Sequence, residues 1–333
     1  MILSNATPDR RIPGSKLLAW SFLADAAADL GFVAVGAAPS GKVPAPALAA
    51  YRAWLDDGRH ADLGYLARNE AARADTSHRG ILTGAKAVIS AALPYGSGAT
   101  DQGVWGAVAA HARSIDYHAG MSERLESLAR RVVARFPGAR FRVLVDAAPI
   151  MERAWAMAAG LGSVGRHGGL LVPGAGSRVW LGEIVLTDVP VPEPVAPRVP
   201  FESCGNCRAC MDACPTGAIV ASGVVDCRAC LSYHTVENRA GSLPEAVAKS
   251  VRLIFGCDAC TSACPLDAPG VTCALPAPPE AGPPGIGPAE LAAMDDAAVA
   301  RLVEGTCLAR TGAAALRRNA RLAAAHIAGS GIS

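Results

Sequence analysis

The sequence predicts an α/β domain, a smaller cysteine-rich domain and a C-terminal helical tail, over residues 1–195, 196–275 and 276–333. Helical and strand periodicities alternate up to about residue 190. Most of the 11 cysteines then fall between residues 204 and 264. Two Pro-rich segments, PVPEPVAPRVP and ALPAPPEAGPPGIGP, separate the three regions.

The first domain begins with alternating helices and strands. They are a helix from Ser15 to Leu30, a strand FVAVGAA, a helix from Leu48 to Asp56, a strand AVISAAL, a helix from Tyr117 to Phe136 and a strand FRVLVD. A further helix ERAWAMAA, which Pro149 can open, and a strand RVWLGEIVL follow. This alternation predicts an α/β domain.

A glycine-rich loop follows the last predicted helix of this domain. Gly160, Gly162 and Gly165 spell GxGxxG, which binds a dinucleotide when it follows a strand and opens a helix. Here the loop follows a helix and leads into a strand, so Gly160 is predicted to cap that helix. So many glycines also permit a large flat cofactor to approach the backbone closely.

Two cysteine runs have the spacing of iron–sulfur loops. The first run comprises Cys204, Cys207, Cys210 and Cys214, followed by Pro215. Three cysteines at two-residue gaps and a fourth after three more residues hold a 4Fe-4S cubane. The second run comprises Cys257, Cys260, Cys264 and Pro265, and Ile254 stands where its first cysteine is expected. The sequence therefore predicts a two-cluster ferredoxin module with one displaced ligand.

The fourth cysteine of each run is expected to bind the cluster of the other run. One cubane then takes Cys204, Cys207, Cys210 and Cys264. The other takes Cys214, Cys257 and Cys260, and its remaining ligand is expected from Cys227 or Cys230, which lie between the runs. Structural zinc usually uses two CxxC pairs, and cysteines two residues apart on a turn rarely form disulfides, so both alternatives are disfavoured. Cys273 and Cys307 belong to neither run and are predicted to be ordinary thiols.

The composition predicts a cytoplasmic protein with a large core. The 333 residues are 51% hydrophobic and 18% charged. The apolar segment LLAWSFLADAAADLGFVAVGAA is broken by Asp25 and Asp29, so it predicts a core helix and not a membrane span. Arg10 and Arg11 could begin an export signal, but no clean apolar region follows them. A net charge of +2 does not by itself indicate nucleic-acid binding.

Asp146 is the ionisable residue of most interest. It ends the predicted strand FRVLVD, where position alone favours a turn or capping carboxylate. Tyr117 and His118 begin a predicted helix, and partial burial at the surface is the simplest interpretation of both.

Several motifs, in this order, resemble the epoxyqueuosine reductases, which are cobalamin-dependent enzymes of queuosine biosynthesis related to reductive dehalogenases. The motifs are ADLGYLARN, GAKAVISAALPY, VDAAPIMERAWAMAAGLGSVGRHGGLL, WLGEIVLTD, CGNCRACMDACPTGAI, CLSYHTVE, FGCDACTSACP and GTCLARTGAAALRRNARLA. The resemblance extends over most of the chain. It implies a cobalamin-binding domain of nitroreductase-like fold over residues 1–195, then a ferredoxin-like domain with two 4Fe-4S clusters.

The resemblance also implies roles for individual residues. The family's remaining cluster ligand corresponds to Cys230, which leaves Cys227 extra, and its proton-donating aspartate corresponds to Asp146. Desolvation beside the corrin is expected to raise the pKa of Asp146. The residues implied in cobalamin binding are Asp146, Gly160, Gly162, Gly165, Arg166 and His167.

The implied reaction is the reduction of epoxyqueuosine to queuosine in tRNA. Electrons would pass from an external ferredoxin or flavodoxin through the two clusters to cobalamin. The alternatives are a cobalamin-dependent reductase of a small molecule, of reductive-dehalogenase type, and an electron-transfer iron–sulfur protein without a corrinoid. We expect a monomer.

Three features depart from the family's pattern. Ile115 replaces an arginine, His167 replaces an asparagine, and this chain stops after one helical tail where many members continue into a HEAT-like repeat that helps to grip tRNA. Contact with the tRNA anticodon stem-loop is therefore expected from the tail arginines, unless these form a solvated helix face. They are Arg310, Arg317, Arg318 and Arg321.

Overall fold

A computed structural model describes residues 18–95, 103–191, 204–267, 272–277 and 286–330. The start of the predicted first helix, the Arg10–Arg11 pair and most of the Pro-rich segment at 190–200 lie outside these ranges. Within them the strands are β1 (Ala34–Pro39), β2 (Ala85–Pro94), β3 (Phe141–Leu144), β4 (Ser163–Val164), β5 (Leu170–Leu171), β6 (Val179–Thr187), β7 (Ile219–Ala221) and β8 (Val224–Val225).

Helices surround these strands and fill the C-terminal part of the chain. They are α1 (Trp20–Ala28), α2 (Ala45–Asp56), α3 (Gly64–Arg68), α4 (Glu70–Ala74), α5 (Gly103–Gly106), α6 (Tyr117–Val133), α7 (Glu152–Ala158), α8 (Ala209–Asp212), α9 (Leu231–Val236), α10 (Glu245–Ala248), α11 (Ala259–Ser262), α12 (Pro288–Ala293), α13 (Asp296–Leu302) and α14 (Ala313–Ser330). Short 3-10 helices cover Ala110–Ala112 and Cys307–Thr311.

The first domain is built on one four-stranded antiparallel sheet in the order β1-β2-β6-β3. All but one residue of central strand β2 are buried. Because side chains alternate along a strand, Ile89 and Leu93 pack toward α1 and α6, whereas Val88 and Ala92 pack toward α7. The sheet is therefore covered on both faces, as its nearly continuous apolar sequence indicates.

The predicted elements of this domain are present, with different boundaries. Strand β3 ends at Leu144, so Asp146 lies two residues beyond the strand and does not end it. Helix α7 begins at Glu152, so Pro149 precedes the helix and does not open it. Helix α6 ends at Val133, before the predicted end at Phe136. The strand pairing is antiparallel throughout, so helices and strands do not form parallel crossover units.

The glycine-rich loop after α7 is not a dinucleotide fold, as the sequence predicts. Gly160 has φ +80° and caps the helix. Its N–H donates to the carbonyl of Met157, and the N–H of Leu161 donates to the carbonyl of Ala156, which together form a Schellman cap. The hairpin of β4 and β5 follows directly, and no helix begins there.

The C-terminal segment is more than a single helical tail. Helices α12, α13 and α14 share one apolar core with residues from the first two regions, including Val108, Ile254 and Phe255. Ile254 is fully buried there, and its carbonyl accepts a hydrogen bond from Asn319. The position that lacks the expected cysteine therefore holds a core side chain. In the described part of the chain, none of the helices has the length and apolarity needed to cross a bilayer.

Candidate active site and cluster loops

Asp146 lies in the turn between β3 and α7 and has an unusual backbone conformation. Its φ is +47°, in the left-handed region that residues other than glycine rarely adopt. Its N–H donates to Oε1 of Glu152 at 2.8 Å. The side chain keeps 43% of its surface accessible, so the carboxylate faces an open part of the site.

His118, in the first turn of α6, connects Asp146 to a second carboxylate. Its Nδ1 lies 2.7 Å from Oδ1 of Asp116, and its Nε2 lies 3.2 Å from Oδ2 of Asp146. Carboxylates only accept hydrogen bonds, so both contacts are satisfied when the ring is an imidazolium. The Asp146 bond accordingly raises the pKa of His118 above its ordinary value.

The protein's own groups shift the pKa of Asp146 downward, in the direction opposite to that expected from desolvation beside a corrin. The hydrogen bond from His118 lowers the pKa of Asp146 below its ordinary value, although partial burial acts in the opposite direction. The neighbouring charges of His118 and Arg310 lower it further. The pair therefore holds one proton, and that proton resides on the imidazole.

Arg310, from the C-terminal segment, lies beside Asp146. It lies 3.6 Å from Oδ2 of Asp146 and 2.8 Å from Oε1 of Glu237. Tyr65, which is 39% exposed, also contacts Arg310. The cationic group from the C-terminal segment therefore closes one side of the Asp146 site.

The other tail arginines do not form the predicted basic cluster. Arg318 is buried, and its guanidinium donates to the carbonyls of His234 and Asn238. Arg317 is paired with Asp296 at 2.8 Å. Arg310 and Arg321 are both exposed, but of these two only Arg310 has an ion pair among the described residues.

Two glutamates lie behind Asp146. Burial raises the pKa of Glu152 to about 7, although the N–H of Asp146 acts in the opposite direction. Glu183, in the middle of β6, is completely buried, and burial raises its pKa well above the ordinary value. Its Oε1 contacts the Ser90 hydroxyl at 3.4 Å, while its Oε2 has no hydrogen-bond partner in the structure. Glu183 is therefore a neutral acid.

A row of rings connects the Asp146 site with the second cysteine run. Tyr117 stacks on His118 with ring centroids 4.1 Å apart and on Trp180 at 5.3 Å. Tyr95 contacts Trp180 at 5.1 Å and His111 at 6.2 Å. The row ends beside Asp258, which follows Cys257 in the chain. The Asp258 carboxylate accepts the N–H of Ala110 at 2.7 Å. The cluster loop is thus joined to the site by packed side chains.

The structure brings the predicted first set of cysteines together. Burial raises the pKa of Cys210, and repulsion from Cys264, Cys204 and Cys207 raises it further. The second run thus supplies one thiol to the neighbourhood of the first, as expected for two crossed cluster loops.

The second set brings together Cys214, Cys230, Cys257 and Cys260. Burial raises the pKa of Cys260 to about 12, with added repulsion from the other three thiols. Helix α9 begins immediately after Cys230, and the hydroxyl of Thr235 in that helix donates to the carbonyl of Gly256 at 3.2 Å. This bond holds Cys230 against the second run.

Cys227 lies beside Cys230, next to charged groups outside the second set. Burial raises its pKa to about 12, and its charged neighbours include Cys230, Asp226, Arg153 and Glu237. Repulsion from Cys230 raises the pKa values of both Cys257 and Cys260. Cys273 is partly buried and Cys307 is buried.

A single metal ion has no matching site in the described ranges. There, no three His, Cys, Asp or Glu side chains are arranged to hold one ion. A zinc ion needs four ligands at one centre, whereas the thiols of a cubane bind separate irons at its corners. The sharing of thiols between the two runs fits a pair of cubane clusters.

The predicted cofactor-binding residues of the glycine-rich loop have different contacts in the structure. A Cβ on Gly162 would lie 2.0 Å from the carbonyl of Leu171, so this glycine serves packing inside the hairpin. Arg166 donates to the carbonyl of Gly205 at 2.7 Å and joins the loop to the first cysteine run. His167 is buried; its Nδ1 accepts the N–H of Gly169, and its Nε2 has no hydrogen-bond partner. Burial lowers the pKa of His167, which favours the neutral ring. Because Nδ1 accepts a hydrogen bond, the single ring proton is on Nε2.

Sequence analysis missed several residues of this site. Glu152 was visible only as an acidic residue in the first turn of a helix, and Glu183 as a charge inside an apolar strand. A carboxylate within WLGEIVL, where every neighbour is apolar, is the stronger signal. No sequence pattern indicated that Arg310 reaches Asp146, because 164 positions separate them in the chain (310 − 146).

Two family models match this chain. Residues 75–147 match a model described as epoxyqueuosine reductase QueG, DUF1730, and residues 203–267 match a 4Fe-4S double cluster binding domain. The epoxyqueuosine reductase of Gloeobacter violaceus is 36% identical over 305 residues, which cover 88% of this chain and 92% of that protein. That of a Synechococcus strain is 38% identical over 243 residues, covering 72% and 73%.

Solved structures show the same fold. Epoxyqueuosine reductase from Streptococcus thermophilus superimposes with a TM-score of 0.79 at 24% identity, covering 92% of this chain and 81% of that one. An epoxyqueuosine reductase with a tRNA-Tyr epoxyqueuosine-modified stem loop gives 0.77 at 25% identity, covering 92% and 80%. The Bacillus subtilis enzyme, with its catalytic aspartate loop swung out of the active site, gives 0.76 at 25%, covering 92% and 81%.

Proposed function

Because this chain belongs to the epoxyqueuosine reductase family, we propose that it reduces epoxyqueuosine to queuosine in tRNA, with Asp146 as the group that delivers protons to the departing epoxide oxygen. The observation that carries this proposal is the Asp146–His118 pair, joined through packed rings to the second cysteine set. A proton-holding pair, an exposed carboxylate and the cluster domain are thus close to one another.

The double-cluster domain supplies electrons one at a time. We assign one cubane to Cys204, Cys207, Cys210 and Cys264, and the other to Cys214, Cys230, Cys257 and Cys260. The mutual repulsion within each set supports this division. Iron binds the thiolate form of these cysteines, and any proton displaced from a thiol is released to solvent.

The site between the Gly-rich loop and the Asp146 turn fits a large cofactor such as cobalamin. Several buried polar atoms there lack a protein partner, namely Nε2 of His167, Oγ of Ser177 and Nε1 of Trp155. Arg153 is exposed and donates to the carbonyl of Gly168 in this loop. Bound cobalamin would supply low-potential reduction at its cobalt. We assign Arg153, His167 and Ser177 to holding it.

The Asp146–His118 pair is suited to deliver a proton. An epoxide oxygen leaves poorly as an alkoxide or hydroxide, so it has to be protonated as it departs. Asp146 is exposed toward the site, and His118 behind it holds the proton that Asp146 lacks. Asp146 delivers this proton and recovers it from the imidazolium.

Arg310 and Tyr65 border the approach to Asp146. RNA bases outside a helix are commonly bound by stacking on aromatic rings, with arginine contacting the backbone. A half-exposed tyrosine beside an arginine suits this use. We propose that the modified base of the stem-loop enters past these two side chains.

The test offers an epoxyqueuosine-containing tRNA stem-loop and the free nucleoside to the anaerobically purified, cluster-loaded and cobalamin-loaded protein with a chemical reductant. Mass spectrometry of digested nucleosides measures conversion. We expect conversion in RNA and little of the free nucleoside. Conversion of neither, with reduction of a halogenated aromatic compound, would favour the small-molecule reductase. A protein that binds no corrinoid would favour the electron-transfer alternative.

A further inference from the structure

The strongest feature that the proposed function leaves unused is Glu152, behind the Asp146 turn. Its Oε1 accepts the Asp146 N–H at 2.8 Å and so contacts the residue that delivers protons. Asp146 holds a left-handed backbone conformation at φ +47°, which costs free energy for a residue with a side chain. The Glu152 contact therefore helps to keep the turn in place.

The groups around Glu152 do not give it a dedicated counter-ion. It is faced by Asp146 from its own turn, Glu183 from β6, Tyr117 from α6, Arg153 from α7 and Arg73 from α4. The two arginines are already engaged, because Arg73 donates to the carbonyl of Ile150 and Arg153 to that of Gly168.

The negative charge of Asp146 favours a proton on Glu152. Asp146 is ionised and raises the pKa of Glu152, and Glu183 is a neutral acid in the sheet behind it. Burial then places the pKa of Glu152 at about 7. The site thus has two groups beside Asp146 that can hold a proton, His118 and Glu152.

Deoxygenation of an epoxide needs two protons. Both C–O bonds break, a C=C bond forms, two electrons enter from the reduced cofactors, and the oxygen leaves as water after taking up two protons. The Asp146–His118 pair supplies one of them. Glu152 contacts Asp146 and is placed to be the source of the other.

Resting on the proposed function, we propose that Glu152 supplies this second proton through Asp146, while its Oε1 positions the Asp146 turn. Its carboxylic acid reprotonates the Asp146 carboxylate after the first transfer and becomes a carboxylate. Solvent restores that proton between turnovers. Glu152 acts through Asp146 and is therefore a positioning and proton-supplying residue.

The test uses Glu152→Gln, because the amide oxygen still accepts the Asp146 N–H but carries no acidic proton. Single-turnover rates are measured on the epoxyqueuosine stem-loop from about pH 6 to about pH 9. Two required acids give the wild type an alkaline limb whose limiting slope, in log rate against pH, approaches −2. We expect about −1 in Glu152→Gln, with a rate at least about 100-fold lower at neutral pH.

Two further variants separate proton supply from positioning. Glu183→Gln replaces a neutral buried acid with a neutral amide of similar shape, so its slope should stay near −2. Glu152→Ala removes both the proton and the acceptor and should be slower than Glu152→Gln. If Glu152→Gln behaves like the wild type and only Glu152→Ala is impaired, Glu152 only positions the turn and the inference is wrong.

An infrared titration tests the proton without turnover. The protein without cofactors should lose a protonated carboxyl band as pH rises through about 7, and Glu152→Gln should lack that loss. A wild type inactive on modified RNA would overturn the proposed function. A wild type active on it with no such band, or with a slope of −1, would overturn the role of Glu152 alone.

Discussion

At the scale of single residues, the chemistry depends on where the proton of the Asp146–His118 pair resides. We expect Asp146→Asn to keep the fold and both clusters but to lose turnover by roughly 100- to 10,000-fold, as is typical when a general acid is removed. The Asp146 bond is the largest cause of the raised His118 pKa. NMR titration of His118 should therefore show its pKa falling in the variant, and an unchanged pKa would contradict the pairing.

The same pair predicts a pH window for stability. The folded-state pKa of Asp146 is lowered from 3.8, so its contribution is present above that value and is lost as pH falls through the lowered pKa. The folded-state pKa of His118 is raised from 6.5, so its contribution is complete below that value and is lost as pH rises through the raised pKa. The melting temperatures of wild type and Asp146→Asn should differ most near pH 5. A larger difference in melting temperature at pH 9 would exclude this coupling.

At the scale of elements, the second cluster depends on how α9 places Cys230. We expect Cys230→Ser to lower iron from about eight to about four atoms per chain, and Cys227→Ser to leave it near eight. The two cysteines are a matched pair, since they lie three positions apart and are both half-buried. Iron analysis and EPR of the reduced proteins measure the cluster content of both variants. Loss of four iron atoms in Cys227→Ser and none in Cys230→Ser would assign the ligand to Cys227.

Strand β1 meets the end of α7 so closely that a side chain is not accommodated. A Cβ on Gly36 would lie 2.0 Å from the carbonyl of Ala159. We expect Gly36→Ala to lower the free energy of unfolding by about 3 kcal/mol, as overpacking does at a rigid contact. Gly241→Ala, where a Cβ meets nothing within 4 Å, is the control and should be near neutral. Equal chemical-denaturation midpoints for the two variants would show that β1 can move away from α7.

At the scale of the whole molecule, the C-terminal helices hold the cluster region in place. Arg318 donates to carbonyls at His234, Asn238 and Ala240, which follow Cys230 in the chain. We expect Arg318→Ala to cost about 3 kcal/mol, because buried carbonyls lose a charged donor. Arg321→Ala, on the exposed face of the same helix, should change stability by less than about 0.5 kcal/mol. Comparable unfolding midpoints would mean that the Arg318 hydrogen bonds do not stabilise the fold.

Local patterns determined much of this protein from sequence alone. The cysteine spacings predicted a double-cluster domain, which the family comparison confirms. The glycine-rich loop was predicted to cap a helix and not to bind a dinucleotide, and Gly160 does so. These features follow from backbone geometry within a few residues, so a short segment contains all the information they need.

Contacts between distant segments were decided only by tertiary structure. The pKa of Asp146 is set by His118 and Arg310, which reach it from α6 and from the C-terminal segment. Arg318 resembled a surface charge in the sequence but is buried against α9 and the segment after it. Charge pairing and burial depend on which segments pack together, and hydrophobic periodicity shows that a face is covered without showing which segment covers it.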